Sequence, residues 1–295
     1  MELCLTLKDH TNNISFSESC LAYYDDPSKY VKGFMDDAFK GIGKPLTGIG
    51  LEAAVSILVV GQAELWAVLS VETAGSGYLP DRRPRILFER HIFRRETHCR
   101  FDDTHADLSN PKPGGYQLGS QEYGRLEAAI QLDRNAALSA TSWGLGQVMG
   151  FNAILAGFAD AETMVKAMVD SENAQLIGMA TWINRSGIAE SLRAHRWAEF
   201  AKAYNGAGYR KNQYDIRLAA YYQKFKVGPL PDLRVRAIQS YLVYLGYSLG
   251  IIDGILGRIT RSAIQEYQIK EGLNPTGEPS LALTQRLEEE VTIGA

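Results

Sequence analysis

Several large classes of protein are excluded by what this chain has little of. Cys4, Cys20 and Cys99 are its only cysteines in 295 residues. They cannot build a disulfide framework, and an odd count fits synthesis in a reducing compartment. The opening residues, Met1 to His10, lack the basic segment and apolar core of a secretory signal. The longest apolar stretch, Ala53 to Val60, is too short for a bilayer, so no membrane insertion is expected. Metal-ligand spacings, phosphate loops and dinucleotide fingerprints are missing, so neither a metal nor a cofactor is expected. A formal net charge of −3 gives no footprint for nucleic acid. With 45% hydrophobic and 22% charged residues, the composition is that of an ordinary globular protein.

The charge that is present is unevenly placed. Asp81 to Arg100 holds seven arginines against three acids, a local +4, with His91 and His98 among them. Such a segment is a solvated face, a wall for an anionic ligand, or a source of arginine partners for buried carboxylates. His91, His98, Cys99, Asp102, Asp103 and His105 are metal-ligand types crowded together, but without ligand spacing they read as a polar loop.

Residues 1–45 are rich in turn formers, with a short helix expected from about Tyr30 to Lys40. Leu51 to Glu72 reads as helical, with a break at Gly61. Leu65, Val68, Leu69 and Glu72 fall on one apolar face, and Gly75 and Gly77 stop the helix. Residues 101–123 are loop-like around Ser109-Asn110-Pro111-Lys112-Pro113-Gly114-Gly115. Helical patterns return over 123–140, 160–184, 187–203 and 212–225, and no strand of any length is expected. Residues 227–232 have a linker's composition. Beyond it three helices are expected, Leu233–Leu245, Thr260–Glu271 and Leu281 to about Glu290. The fold class is mainly α, divided as an N-terminal segment 1–45, a large domain 46–226, the linker, and a small domain 233–295.

Glu72 carries the first chemical signal. A carboxyl on an apolar helix face, in the last turn where the macrodipole is negative, is disfavoured as an anion. A glutamate serving helix stability alone belongs in the first turn. A carboxylic acid that keeps its proton near neutral pH suits the donor required to break a glycosidic bond. Two loops supply matching chemistry. Ser142-Trp143-Gly144-Leu145-Gly146-Gln147 joins small residues, an aromatic and an amide, as does Tyr204-Asn205-Gly206-Ala207-Gly208-Tyr209. Aromatic faces and amides hold sugars, and small residues let backbone approach a ligand.

The order of a helix-ending Glu, a Gly-Leu-x-Gln segment and a Tyr-Asn segment resembles goose-type lysozymes and soluble lytic transglycosylases. Val71 to Tyr78, Ile86 to His91, Gly114-Gly115-Tyr116, Ser142 to Gly150 and Tyr204-Asn205-Gly206 resemble the N-acetylmuramidase domain of phage endolysins over about residues 50–226. Ala207 departs from the proline expected there. The resemblance implies a lysozyme-like α fold and cleavage of the β-1,4 bond between MurNAc and GlcNAc. Glu72 stands at the family's catalytic position, and Ser142, Gln147, Tyr204 and Asn205 are expected to bind substrate. Glu89, flanked by Arg90, is the candidate second carboxylate, ionised as a base or stabiliser; a structural ion pair is the competing reading. Asp102 and Asp103 are its rivals.

Residues 234–287 resemble the three-helix peptidoglycan-binding domain through Val235 to Gln239, Leu245-Gly246-Tyr247, Asp253 to Gly257, Thr260 to Ile264, Tyr267-Gln268 and Thr276-Gly277. Asp253, Gly254, Gly257 and Thr260 are its signature residues, with Thr260 expected to cap the following helix. Tyr241, Tyr244 and Tyr247 are core residues or ligand contacts. The partner implied is the peptidoglycan glycan strand, met by a monomer. The localisation implied is synthesis in a bacterial host without a signal, then action on the wall after holin-type release. A lytic transglycosylase, a secreted antibacterial effector and a non-catalytic wall binder remain the alternatives.

Overall fold

The computed structural model describes residues 39–293, apart from 73, 74 and 118. Cys4, Cys20 and most of the helix expected over 30–40 lie outside the described residues. From Phe39 onward the chain forms one compact unit.

The first two helices are α1 (Gly48–Leu58) and α2 (Gln62–Glu72). They meet at 105°. Val59 takes left-handed backbone at the break, with φ of 53°, and α1 closes as Val59 N–H donates to the Ser56 carbonyl and Val60 N–H to that of Val55. The break thus falls where Gly61 suggested. Leu65, Trp66, Ala67, Val68, Leu69 and Val71 of α2 are all buried. This is a central helix buried nearly all round, rather than the one-sided amphipathic helix of the sequence reading. Among the described residues no single helix is long and apolar enough to cross a membrane.

The large domain continues with α3 (Arg90–Glu96), α4 (Glu122–Leu132), α5 (Arg134–Ser139), α6 (Ala161–Asp170), α7 (Glu172–Arg185), α8 (Ala189–Arg193), α9 (Trp197–Asn205) and α10 (Tyr214–Val227). Several starts are explained by side-chain caps. Asp133, Asp160 and Ser171 accept from the backbone N–H of Ala136, Thr163 and Asn173 at 3.0, 2.7 and 3.0 Å. α2 lies along α10, and α1 along α7.

A small sheet corrects the expectation of no strands. β1 (Ile86–Phe88), β2 (Thr141–Trp143) and β3 (Val148–Met149) pair antiparallel in that order. Leu87 faces Ser142, and Ser142 faces Met149. Strands of two or three residues leave no alternation to read, and only long-range pairing makes them.

The C-terminal domain contains α11 (Leu233–Tyr244), α12 (Arg258–Lys270) and α13 (Leu281–Ile293). Ile238, Leu242, Leu249, Ile264, Tyr267, Leu283 and Leu287 form its core. The stretch 227–232 is not a free tether here. Val227 ends α10, and Asp232 caps α11 by accepting from Arg234 and Val235 N–H at 2.8 and 3.1 Å. The helices beyond dock on the large domain: the Tyr244 hydroxyl donates to the Gly43 carbonyl at 3.0 Å. Buried Arg82 donates to the Val291 carbonyl, also at 3.0 Å. Tyr244 is therefore a docking residue, and Tyr241 belongs to the core.

Candidate active site

Glu72 is the last residue of α2, on the side that meets α10. The Tyr214 hydroxyl, from the first turn of α10, donates to its Oε1. Burial pushes the Glu72 carboxyl from 4.5 up to about 8, while the Arg217 guanidinium pulls it back. The negative end of α2 acts in the same direction as burial. The residue keeps some exposure to solvent, as a proton donor to an external ligand requires. The result is an acid that stays protonated through neutral pH.

The Tyr-Asn loop and the Gly-Leu-Gly-Gln loop converge here through one side chain. Tyr204 ends its hydroxyl on the Gly146 carbonyl, donating at 2.7 Å. Its ring stacks on Tyr214 at 6.2 Å and on Phe200 at 5.4 Å, and meets the edge of Trp182 at 5.2 Å. Burial and the Glu72 charge hold its phenol far above the ordinary value. Tyr204 is thus a structural link between the Gln147 loop and the Glu72–Tyr214 pair. Asn205, next to it, is exposed at the end of α9.

Ser142 and Gln147 are held together across the β2–β3 turn. The Ser142 hydroxyl donates to Gln147 Oε1 at 2.8 Å. Gln147 Nε2 donates to the carbonyls of Gly144 and Arg85 at 2.9 and 3.2 Å. Gln147 also takes positive φ of 46°. The glycines beside it serve packing rather than ligand approach. A Cβ on Gly144 would lie 2.5 Å from Gln175, and one on Gly146 would lie 2.4 Å from Met179, both side chains of α7. Close contact with α7 is what requires glycine there.

Glu89 is the residue before α3, and its N–H donates to the carbonyl of Ala140, between α5 and β2, at 2.9 Å. The flanking Arg90 is not its partner. Arg90 donates to the Lys112 and Pro113 carbonyls instead, at 2.7 and 3.3 Å. The Tyr116 hydroxyl meets both Glu89 oxygens, at 3.1 and 2.9 Å, and His91 Nδ1 lies 3.1 Å from Oε2. Burial and Glu89 together push the Tyr116 phenol up to about 12.

The basic segment is largely occupied in holding loops. Arg83 pairs with Asp81 and covers the Tyr123 ring at 4.2 Å. Arg94 binds Asp102 at 2.8 Å, and Arg100 binds Asp133 at 2.7 Å. Asp102 also accepts from Ser109 at 2.6 Å, and these contacts hold its carboxyl below the ordinary value. Asp102 is thus a loop anchor, while Asp103 is exposed.

The signature residues of the C-terminal domain surround one amide. Gln239 Nε2 donates to Asp253 Oδ1 and Thr260 Oγ1, both at 3.0 Å, and its Oε1 accepts from Gly254 N–H at 2.8 Å. Thr260 does not cap α12. Gly257 occupies the cap position, and Thr260 lies buried in the first turn. These four residues shape the loop between α11 and α12.

Sequence reasoning missed Tyr214, Arg217 and Trp182, which face Glu72 or Tyr204 from helices without a local motif. It also missed two buried glutamates. Glu122 accepts from the N–H of Phe88 and Gln117 at 3.0 and 2.6 Å and pairs with Arg125 at 2.7 Å. Glu172 pairs with Arg236 of the C-terminal domain. Neither has a signal in the chain beyond an ordinary place at a helix start.

Comparison with known proteins accords with this arrangement. The N-acetylmuramidase family model matches residues 61–226, and a peptidoglycan binding domain model matches residues 232–287. Among solved structures, a Burkholderia AP3 phage endolysin is 38% identical, with a TM-score of 0.59 over 62% of this chain and 71% of that one. No curated protein matches. With a helical domain whose loops converge on a buried carboxyl, joined to a wall-binding module, the chain belongs to the N-acetylmuramidase family of peptidoglycan-cleaving glycoside hydrolases.

Proposed function

We propose that this protein cleaves the β-1,4 bond between MurNAc and GlcNAc, with Glu72 as the general acid. The observation that carries the proposal is the Glu72 carboxyl, raised to about 8 by burial, at the meeting point of the Tyr204 and Tyr214 rings. A glycosidic oxygen leaves only if it is protonated as positive charge builds on the sugar ring. A carboxyl titrating near 8 carries that proton at neutral pH and is a strong enough base to recover it afterwards. Ser142, Gln147 and Asn205 bind sugar hydroxyl and acetamido groups. Their amide and hydroxyl chemistry supports that role, as does the convergence of their loops on Tyr204. Glu89 is the second carboxylate. The Tyr116 hydroxyl at both of its oxygens fixes its orientation, as a group that stabilises charge or positions water requires.

The likeness to a phage endolysin supports the same role here: lysis of a bacterial host from the periplasm, after release by a holin-type pore. Mass spectrometry of digested sacculi tests the chemistry. Reducing MurNAc ends are expected. 1,6-Anhydro ends would make the protein a lytic transglycosylase, and reducing GlcNAc ends would overturn the bond assignment. Glu72→Gln should abolish lysis, lowering turnover about 10²–10⁴-fold. Unchanged lysis would remove Glu72 from the mechanism and favour wall binding alone.

A further inference from the structure

The turn that follows Glu72 is gripped by the C-terminal domain. Arg236, on α11, is buried and forks in two directions. It pairs with Glu172 and donates through Nη2 to the Gly75 carbonyl at 2.7 Å. Glu172 Oε1 accepts from the Ser76 hydroxyl at 3.1 Å and the Gly77 N–H at 2.8 Å, and Oε2 from the Leu46 N–H at 2.8 Å. Residues 75, 76 and 77 are therefore all tied to one ion pair with its other half in the wall-binding module. A second element of that module presses on the same turn. A Cβ at Gly75, whose φ is +97°, would lie 2.1 Å from the Ile252 carbonyl oxygen.

A buried ion pair is a weak source of stability, because desolvation offsets most of its attraction. Its geometric consequence is larger, since the guanidinium fork sets two directions at once. Here those directions end three residues from the proton donor. A tether that only raises local concentration needs no such contact.

We infer that Arg236 and Glu172 are positioning residues for Glu72, so that the peptidoglycan-binding domain completes the active site as well as anchoring it. This rests on the reading of Glu72 as the acid. Removing the pair loosens the turn and lets the end of α2 drift, with Tyr204, Tyr214 and Arg217 still facing the carboxyl. Misplacement by a fraction of an ångström lowers turnover without weakening substrate binding.

The test uses the full-length protein on soluble glycan fragments, for which wall anchoring is irrelevant. The double variant Glu172→Gln/Arg236→Met removes both charges and preserves approximate volume. It is expected to lower kcat about 10- to 100-fold with KM unchanged. The alkaline limb of its pH–rate profile should move below the wild-type position as solvent reaches Glu72. Binding to intact sacculi should be unaffected. Arg236→Lys keeps the charge beside Glu172 but cannot also reach the Gly75 carbonyl, so an intermediate kcat is expected; this variant decides the matter should the double variant fail to melt cooperatively. Wild-type kcat and pH profile in the folded variants would overturn the inference. Glu72→Gln, assayed in parallel, separates the two claims: activity there defeats the acid assignment, whereas inactivity there beside unchanged positioning variants defeats the positioning role alone.

Discussion

Replacing Glu72 by glutamine removes one ionisation while leaving the side chain's shape almost unchanged. The carboxyl rises from 4.5 to about 8 on folding. At about 1.4 kcal/mol per pH unit, ionising it inside the fold costs at most about 5 kcal/mol more than in the unfolded chain. Partial exposure of Glu72 screens that charge, so about 2–3 kcal/mol is the better expectation. The sign follows from the direction of the rise. The folded state holds this proton more tightly, so its stabilising effect is complete below about pH 4.5 and is lost as pH rises toward 8. Glutamine escapes that loss. Glu72→Gln should match wild type in thermal unfolding at pH 4, and then exceed it progressively, reaching about 5–10 °C at pH 9. The same variant should be inactive throughout. Calorimetry or circular dichroism across pH 4–9, with lysis measured on the same samples, tests both halves. A melting difference that is flat with pH would refute the burial argument for the raised acid, and with it the reason for assigning Glu72 the proton.

Wild-type kcat/KM should fall as pH rises through about 8, where free Glu72 loses its proton. Arg217→Gln removes the cation that opposes the rise, and should carry that limb to higher pH; an unmoved or lowered limb would contradict the electrostatic account. Glu122→Ala takes the carboxylate partner from half-buried Arg125 and strands the N–H groups of Phe88 and Gln117, so chemical denaturation should register a loss of about 3 kcal/mol. Gly75→Ala adds a Cβ against the Ile252 backbone at positive φ, and should lower the melting temperature and kcat together. A melting point within error of wild type would argue against the tight contact between domains.

Much of the layout could be read directly from the chain. Helix periodicity, glycine breaks and proline-rich turns are local effects, and they located α1, α2 and the three C-terminal helices to within a few residues. The end of α2 at Glu72 was legible because a carboxyl beside Val68 and Leu69 and ahead of two glycines has few structural explanations. Partners distant in the chain were not legible. Arg90 lies beside Glu89 in sequence, yet its guanidinium is taken by the 112–113 carbonyls, and Tyr116 meets the carboxylate instead. Gly144 and Gly146 looked like a surface for ligand, but their missing Cβ atoms make room for Gln175 and Met179. Hydrogen bonds and close packing across many residues have no periodic trace in a sequence.

Composition, periodicity and motif order alone determined that this is a mainly helical chain with one large domain and a small three-helix partner. The tertiary structure decided how the Glu72 carboxyl is raised, through the packing of α10 on α2 that buries it against Tyr214, with Arg217 of the same helix opposing the rise. It also decided that 227–232 connects two docked bodies, because Arg236 finds its counter-charge on Glu172, 64 residues away. Burial and pairing at that range depend on the three-dimensional contact, which neither residue's neighbours in the chain encode.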